Sequence, residues 1–276
     1  MYMWKEISNF AVENHCGMTI KESVDALERF APLSLQEDYD NAGLQVGLTD
    51  ADASGALLCL DITPAVVAEA VSRGCNLIVS HHPLIFRGLK QVCDQNMVAR
   101  CVAEAVRKGI CIYSAHTNLD NARGGVNYEI AQRLGATVED WLRPLPGGEG
   151  GSGVVAVLPE EEEPLAFLKR VKEVFGIACL ATNEGPDRPI RRIGICGGAG
   201  DFLIDDAAGK RCDCFLTGEM HYHQYFGYEE NLWIGVMGHY ESERFTIQLL
   251  HRFLAEACPG LPLYETEVVT NPMRWV

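Results

Sequence analysis

With 276 residues and 47% hydrophobic content, the chain can bury a sizeable core and is long for one domain, so two are expected. A formal net charge of −15 disfavours a nucleic-acid partner, since a phosphate backbone is repelled unless a local basic patch reverses the field. The 11 cysteines are scattered singly, Cys212 and Cys214 being the closest pair, which excludes a disulfide framework and a zinc knuckle and fits a reducing cytoplasm.

The opening MYMWKEISNFAVENHCG carries two acidic residues and lacks the apolar stretch of a signal peptide. No segment reaches the roughly 18 unbroken apolar residues of a membrane span. Thr19-Ile20-Lys21-Glu22 is a capping box, opening a helix with Val24, Leu27 and Phe30 on one face and Pro32 beyond its end. In EDYDNAGLQVG, Asp40 and Asn41 read as capping a turn. ALLCLDI (56–62) reads as a buried strand. Thr63 as N-cap, Pro64 at the first position, Val67, Ala70 and Val71 on one face and Gly74 past the end then define a helix. NLIVS (76–80) is the next strand, followed by HHP. A helix from about Asp94 to Lys108, stopped by Gly109, leads into the strand ICIYSA (110–115) and then HTNLD.

Between Arg143 and Gly153 the chain reads RPLPGGEGGSG, a composition that favours turns over periodic structure. Residues 143–152 are therefore expected to link a first α/β domain (1–142 with 237–276) to a second (153–236). The second opens with the strand GVVAVL (153–158). The acidic run EEEEP reads as a solvated helix entrance, and Pro164 starts a helix with Leu168, Val171 and Phe175 on one face. IGIC, CFLT and LWIGVM are further strands, CGGAG (196–200) turns into a helix, and a long helix is expected from His239. Alternating strands and helices give an α/β class.

Polar residues follow the strands, where open α/β sheets place their chemistry. His81 and His82, Asp120, and His239 with Glu243 form three such groups. His239 and Glu243, four apart on a helix, share a face, and adjacent imidazoles past a strand end can address different ions. Singly, each residue reads as a strand terminus or helix cap. Together they read as a two-metal site bridged by Glu243, with an imidazole and carboxylate donor set that suits Zn, Mn, Fe, Co or Ni. His116, Glu219 and His221 form an outer set, able to orient a ligand or carry a proton; His223 and His251 are set aside. The CGGAG amides could meet an anion at a helix start, although tight turn geometry explains those glycines equally. No cysteine is placed as a nucleophile.

These motifs in order, EDYDNAGLQVG, LDIT, LIVSHHPLIF, AHTNLDNARGGVN, CGGAG, FLTGEMHYH and GHYESER, resemble the GTP cyclohydrolase 1 type 2 homologue family, the dinuclear-metal-centre proteins of the NIF-three-like superfamily. The resemblance runs nearly end to end. It implies two interlinked α/β domains with the site in the cleft between them, and two divalent metals per subunit on His81, His82, Asp120, His239 and Glu243. It further implies a homohexameric ring, and a metal-activated water attacking the guanine ring of GTP to release formate, with His116, Glu219 or His221 managing protons. The metals, Arg87, Lys90 or the CGGAG amides would then neutralise the triphosphate. A metal-dependent phosphoesterase, or a metal-carrying scaffold that binds a protein partner, are the alternatives.

Overall fold

A computed structural model describes residues 17–274; residues 1–16, which hold nearly all of the stretch tested above for a signal peptide, lie outside them. In chain order the elements are α1 (Ile20–Phe30), β1 (Gly43–Val46), β2 (Ala56–Cys59), α2 (Pro64–Ser72), β3 (Leu77–Ser80), α3 (Met97–Lys108), β4 (Cys111–Ser114), α4 (Thr117–Asp120) and α5 (Val126–Arg133). They continue as β5 (Thr137–Pro144), β6 (Gly151–Glu162), α6 (Pro164–Phe175), β7 (Ala181–Thr182), β8 (Ile190–Cys196), α7 (Ile204–Gly209), β9 (Cys214–Thr217), β10 (Trp233–Val236), α8 (His239–Glu243), α9 (Thr246–Ala257) and β11 (Leu263–Glu265).

Local chemistry accounts for the helix ends. At α1 the Thr19 hydroxyl accepts from Glu22 N–H at 3.2 Å while Thr19 N–H donates to the Glu22 carboxylate at 2.7 Å, the reciprocal box expected. Val24 and Leu27 are buried, and Phe30 stacks on Phe253 of α9 with ring centroids 4.4 Å apart. α2 starts on Pro64 with Thr63 as its cap, and buries Val66, Val67 and Ala70; Val71, expected on that face, is 39% exposed. α3 starts three residues later than expected because the Asn96 side chain accepts from Ala99 N–H at 2.8 Å, and it ends on Gly109 at φ 65°.

Among the described residues there are two sheets. The first runs β1-β4-β3-β2-β11 and the second β5-β6-β8-β9-β10-β7. Strands β11, β2, β3 and β4 are parallel, with β1 antiparallel at the edge. In the second sheet β8, β9 and β10 are parallel, and β6, β5 and β7 pair antiparallel. Alternation along each strand divides the core: Leu58, Val79 and Tyr113 enter one apolar cluster with Val154, Phe167, Leu216, Leu250 and Leu254, so a single core fills the space between the sheets. Leu57, Ile78 and Ile112 point the other way, into a cluster with Val66, Val67 and Ala105. A third cluster holds Val155, Phe215, Ile234 and Ala207 on the far side of the second sheet. Both faces of each parallel core are thereby covered, as uninterrupted apolar strands require. No helix among the described residues is long and apolar enough to cross a membrane.

Two expectations change. Residues 143–152, expected to link two domains, close the β5–β6 hairpin, with Arg143 opposite Ser152 and Pro144 opposite Gly151; glycine-rich composition marks a turn without saying whether the flanking strands pair. Residues 137–142 thus belong to the second sheet. The long helix expected from His239 is broken between Glu243 and Thr246. Arg244 donates to Phe175 O at 3.0 Å and Phe245 packs edge-on to Phe175 at 5.6 Å, so the chain changes direction there to serve the cleft with α8 and the core with α9.

Candidate metal centre

The parallel strands of the two sheets bring their C-terminal ends to one cleft of about 560 Å³, lined by His82, His116, Asp120, Glu219, His239 and Glu243 among others. Sheet pairing carries on past β3: His81 N–H donates to Cys59 O at 3.1 Å and His82 N–H to Leu60 O at 2.9 Å. This fixes both histidines where the strand leaves the core. Opposite them, α8 is seated by Ser242, whose hydroxyl accepts from Gly198 N–H at 3.1 Å and donates to His239 O at 2.8 Å. Gly198, at φ 61°, carries no Cβ that would collide with Glu243 Oε1. Gly198 is therefore glycine because Glu243 lies against it, and at Gly200 a Cβ would meet Cys196 and Thr217, which is the tight-geometry reading of that motif.

His81 is fully buried. Its Nδ1 lies 2.8 Å from Ala115 O, and since a carbonyl only accepts, Nδ1 holds the proton and Nε2 presents a lone pair. Burial lowers the pKa of this imidazole, against the pull of Glu243, which keeps it neutral. Its Nε2 has no hydrogen-bond partner. The nearest carboxylate oxygens, Asp120 Oδ1 and Glu243 Oε1, each stand 3.7 Å away, beyond hydrogen-bonding range. A buried lone pair aimed between two carboxylate oxygens is repulsive unless a cation sits among them, and the donor set fits one.

The other Glu243 oxygen serves a second set. Oε2 lies 3.0 Å from His82 Nε2 and 3.1 Å from His239 Nε2, and the two Nε2 atoms are 3.3 Å apart. Each ring is oriented from behind: His82 Nδ1 is 2.7 Å from Asp61 Oδ1, and His239 Nδ1 is 3.0 Å from Glu219 Oε1. Burial alone would lower both imidazole pKa values, but hydrogen bonds to Asp61 and Glu243 push His82 up to about 10, and Glu243 pushes His239 up to about 9. Glu243 itself is held well below the usual carboxylate range: burial would raise it, but the hydrogen bonds from His239 and His82 outweigh that. Asp120 moves the opposite way, raised by burial and by the Glu243 charge. The Nε2 protons of His82 and His239 thus stand where a cation would stand. The groups able to hold a metal ion are His81 with Asp120 and Glu243, His82 with His239 and Glu243, and His81 with His82 and His116.

All five residues expected as ligands from sequence therefore converge, with Glu243 common to two sets. Of the outer three, His116 stands edge-on to His81 and His82 at ring-centroid distances of 5.3 and 5.5 Å, and Glu219 backs His239. His221 is elsewhere: its side chain is 87% exposed and pairs with Asp201 at 3.1 Å, because the chain turns outward after Glu219. Arg87 and Lys90 are exposed and outside the cleft wall.

Other functional positions are not evident from the motifs. Asp40, read as a turn cap, accepts from His116 Nδ1 at 2.7 Å and from Thr117 N–H at 3.1 Å. Burial would raise its pKa, but the bonds from His116 and Thr117 lower it to about 2, so it is a fixed anion behind His116. Asp61, read as part of a strand, also accepts from Thr270 Oγ at 2.6 Å. Its position just past a buried strand was the available signal. Because Asp61 fixes the His82 tautomer, Asp61→Ala should weaken metal affinity about 10–100-fold, measured by competition with a chelator; undiminished affinity would show that His82 orients itself. Cys196 lines the cleft, but burial and the nearby Asp120 and Glu243 charges push its thiol well above the ordinary range, so it is no nucleophile.

The model of the Duf34/NIF3 (NGG1p interacting factor 3) family matches residues 18–272. A "GTP cyclohydrolase 1 type 2 homolog" of Lactococcus lactis is 34% identical over 259 residues, covering 92% of this chain and 98% of its own length. Another so named, from Clostridium acetobutylicum, is 30% identical over 244 residues, covering 87% and 91%. The crystal structure of a hypothetical protein of Staphylococcus aureus superposes with a TM-score of 0.85 at 23% identity, covering 94% of this chain and 100% of that one, a likeness of fold.

Proposed function

The chain belongs to the Duf34/NIF3 family, and from that membership together with the cleft we propose that it is a dinuclear metal-dependent hydrolase opening a guanine-type ring, tested with GTP, and releasing formate. One observation carries the reading: the two oxygens of Glu243 are divided, Oε1 toward His81 at 3.7 Å and Oε2 toward His82 and His239 at 3.0 and 3.1 Å. His81, Asp120 and Glu243 would hold one divalent ion, and His82, His239 and Glu243 the other. Bound there, the pair would supply Lewis acidity and a water of lowered pKa for attack on an electron-poor ring carbon. The names of the relatives, each a "GTP cyclohydrolase 1 type 2 homolog", support this reaction class.

The chain's own residues set the stage. Asp61 and Glu219 occupy the Nδ1 atoms of His82 and His239, leaving both Nε2 atoms forward. Asp40 occupies His116 Nδ1, so Nε2 is the atom by which His116 exchanges a proton with a bound ring. Glu219, half exposed at the rim, is the second proton carrier. Zn, Mn, Fe, Co and Ni all suit these donors. Subunits are proposed to form a homohexameric ring, which predicts a light-scattering mass near six times that of the chain.

The test is to load the purified protein with each of these metals, quantify them, and assay formate release from GTP. Turnover that falls about a hundredfold in His116→Ala supports the proposal. Phosphate release without formate would transfer the site to phosphoester hydrolysis, which paired cations also suit. Metal retention with no product of either kind would leave a metal-carrying scaffold.

A further inference from the structure

The cleft has a chemical character that the metal ligands do not explain. Its mouth is a collar of exposed apolar side chains: Tyr39 is 64% exposed, Phe86 44%, Phe202 44% and Met273 57%. Tyr39 and Phe86 are ring neighbours at 6.4 Å, and Phe86 meets the His116 ring edge-on at 6.2 Å. An aromatic surface therefore runs from solvent to the proton-carrying histidine. Such surfaces bind flat π systems by stacking and pay little conformational entropy, since the rings have few rotatable bonds.

With the imidazoles neutral, as they would be on bound ions, the side-chain charge lining the cleft is all acidic. Glu37, Asp61, Asp120, Glu219 and Glu243 line it, and among the described residues no lysine or arginine does. Two divalent ions would offset four of those five carboxylates and leave nothing over for a polyanion. Arg143 lies behind the collar with its guanidinium 5.4 Å from the Phe202 ring, but it is committed to Asp206 at 2.5 Å. The field reaches the collar: burial and then Glu37, Asp120 and Asp40 push the Tyr39 phenol up to about 12. A net charge of −15 over the chain adds in the same direction.

We infer that the cleft selects its substrate by a flat, uncharged aromatic ring stacked on Phe86 and Tyr39, so that a purine nucleoside or free base is preferred over the nucleoside triphosphate. This rests on the reading of the site as a metal-dependent ring hydrolase, and it narrows the substrate class. The triphosphate pays repulsion at the acidic wall without gaining a partner for its charge, whereas the nucleoside keeps the whole stacking contribution.

The experiment uses the metal-loaded full chain with guanosine, guanosine monophosphate and GTP, following formate release and, in parallel, binding by calorimetry. kcat/KM is expected to fall at each step of added charge, by about tenfold or more from guanosine to GTP. The preference should shrink with rising salt, which screens charge but not stacking. Phe86→Ala should raise KM for guanosine about tenfold with metal content unchanged. Phe202→Lys, placing a cation in the collar, should move the preference toward GTP. Equal or better use of GTP by the unmodified protein, for instance through a cation supplied by a neighbouring subunit, overturns the inference while leaving the hydrolase reading intact. If no formate appears from any of the three, the hydrolase reading falls and calorimetry still decides the selectivity: tighter binding of guanosine supports it, and tighter binding of GTP or of neither overturns it.

Discussion

Glu243→Gln is expected to empty the centre, with bound metal falling from about two ions per chain to near zero, whereas Asp120→Asn should keep about one. The asymmetry follows from the division of the carboxylate: Glu243 is the residue common to both groups of donors, and Asp120 belongs to the His81 group alone. An amide has one weakly donating oxygen and no charge, so it cannot serve two cations. Elemental analysis of the two variants reads the result directly, and equal metal contents would show that the ions, if two are bound, do not share this side chain. Lost metal is also lost stability. At metal concentrations about a thousand times Kd, each site contributes about 4 kcal/mol, so losing both ions in Glu243→Gln, about 8 kcal/mol, should lower the melting temperature roughly 16–32 °C below the loaded parent in a chain of this size.

A second large effect is expected in the metal-free protein, which should lose stability as pH rises from about 6.5 to about 10. His82 is raised to about 10 and His239 to about 9, from 6.5. A raised folded-state pKa means that the native state holds protons the unfolded chain has released, so unfolding becomes easier with increasing pH across that interval. The contribution is complete below pH 6.5 and gone once both imidazoles deprotonate. Because the two side chains are 21% and 33% exposed, screening reduces the effect to roughly 3 kcal/mol, or about 6–12 °C in a thermal melt of chelator-treated protein. The loaded protein should show no such decline, since a metal replaces the protons. For the same reason, uptake near pH 7.5 should release about two protons per chain, visible as a dependence of calorimetric heat on buffer ionisation enthalpy. A flat stability profile in the metal-free protein would show that His82 and His239 are neutral there.

The sequence exposed those features whose cause is local. The caps of α1 and α2 are written in contiguous residues, and β2, β3 and β4 are short apolar runs with polar residues at their ends, which is why His81, His82 and Asp120 could be located. His239 and Glu243 were legible from helical spacing alone, although the helix carrying them is one short turn and a half that breaks at Arg244. What escaped depends on distant partners. Asp40 serves His116 across 76 positions and Asp61 serves His82 across 21, and no periodicity announces either pairing. The placement of His221 outside the cleft has a related origin: the cluster in GEMHYH suggests one site, but after Glu219 the backbone leaves the cleft, and donors adjacent in sequence separate in space. In the hairpin at 143–152, composition revealed a turn and concealed the strand pairing on either side of it.

The first sheet is completed by β11, which adds beside β2. During synthesis, His81, His82 and Asp120 leave the ribosome more than a hundred residues ahead of His239 and Glu243, and β2 stands as the edge of the sheet that carries them until β11 emerges. A nascent chain can offer only a partial donor trio, without the carboxylate that joins the two groups. Tight ion capture is thereby deferred until His239 and Glu243 have emerged, and a chain cut before them has neither β11 on its first sheet nor the full donor set.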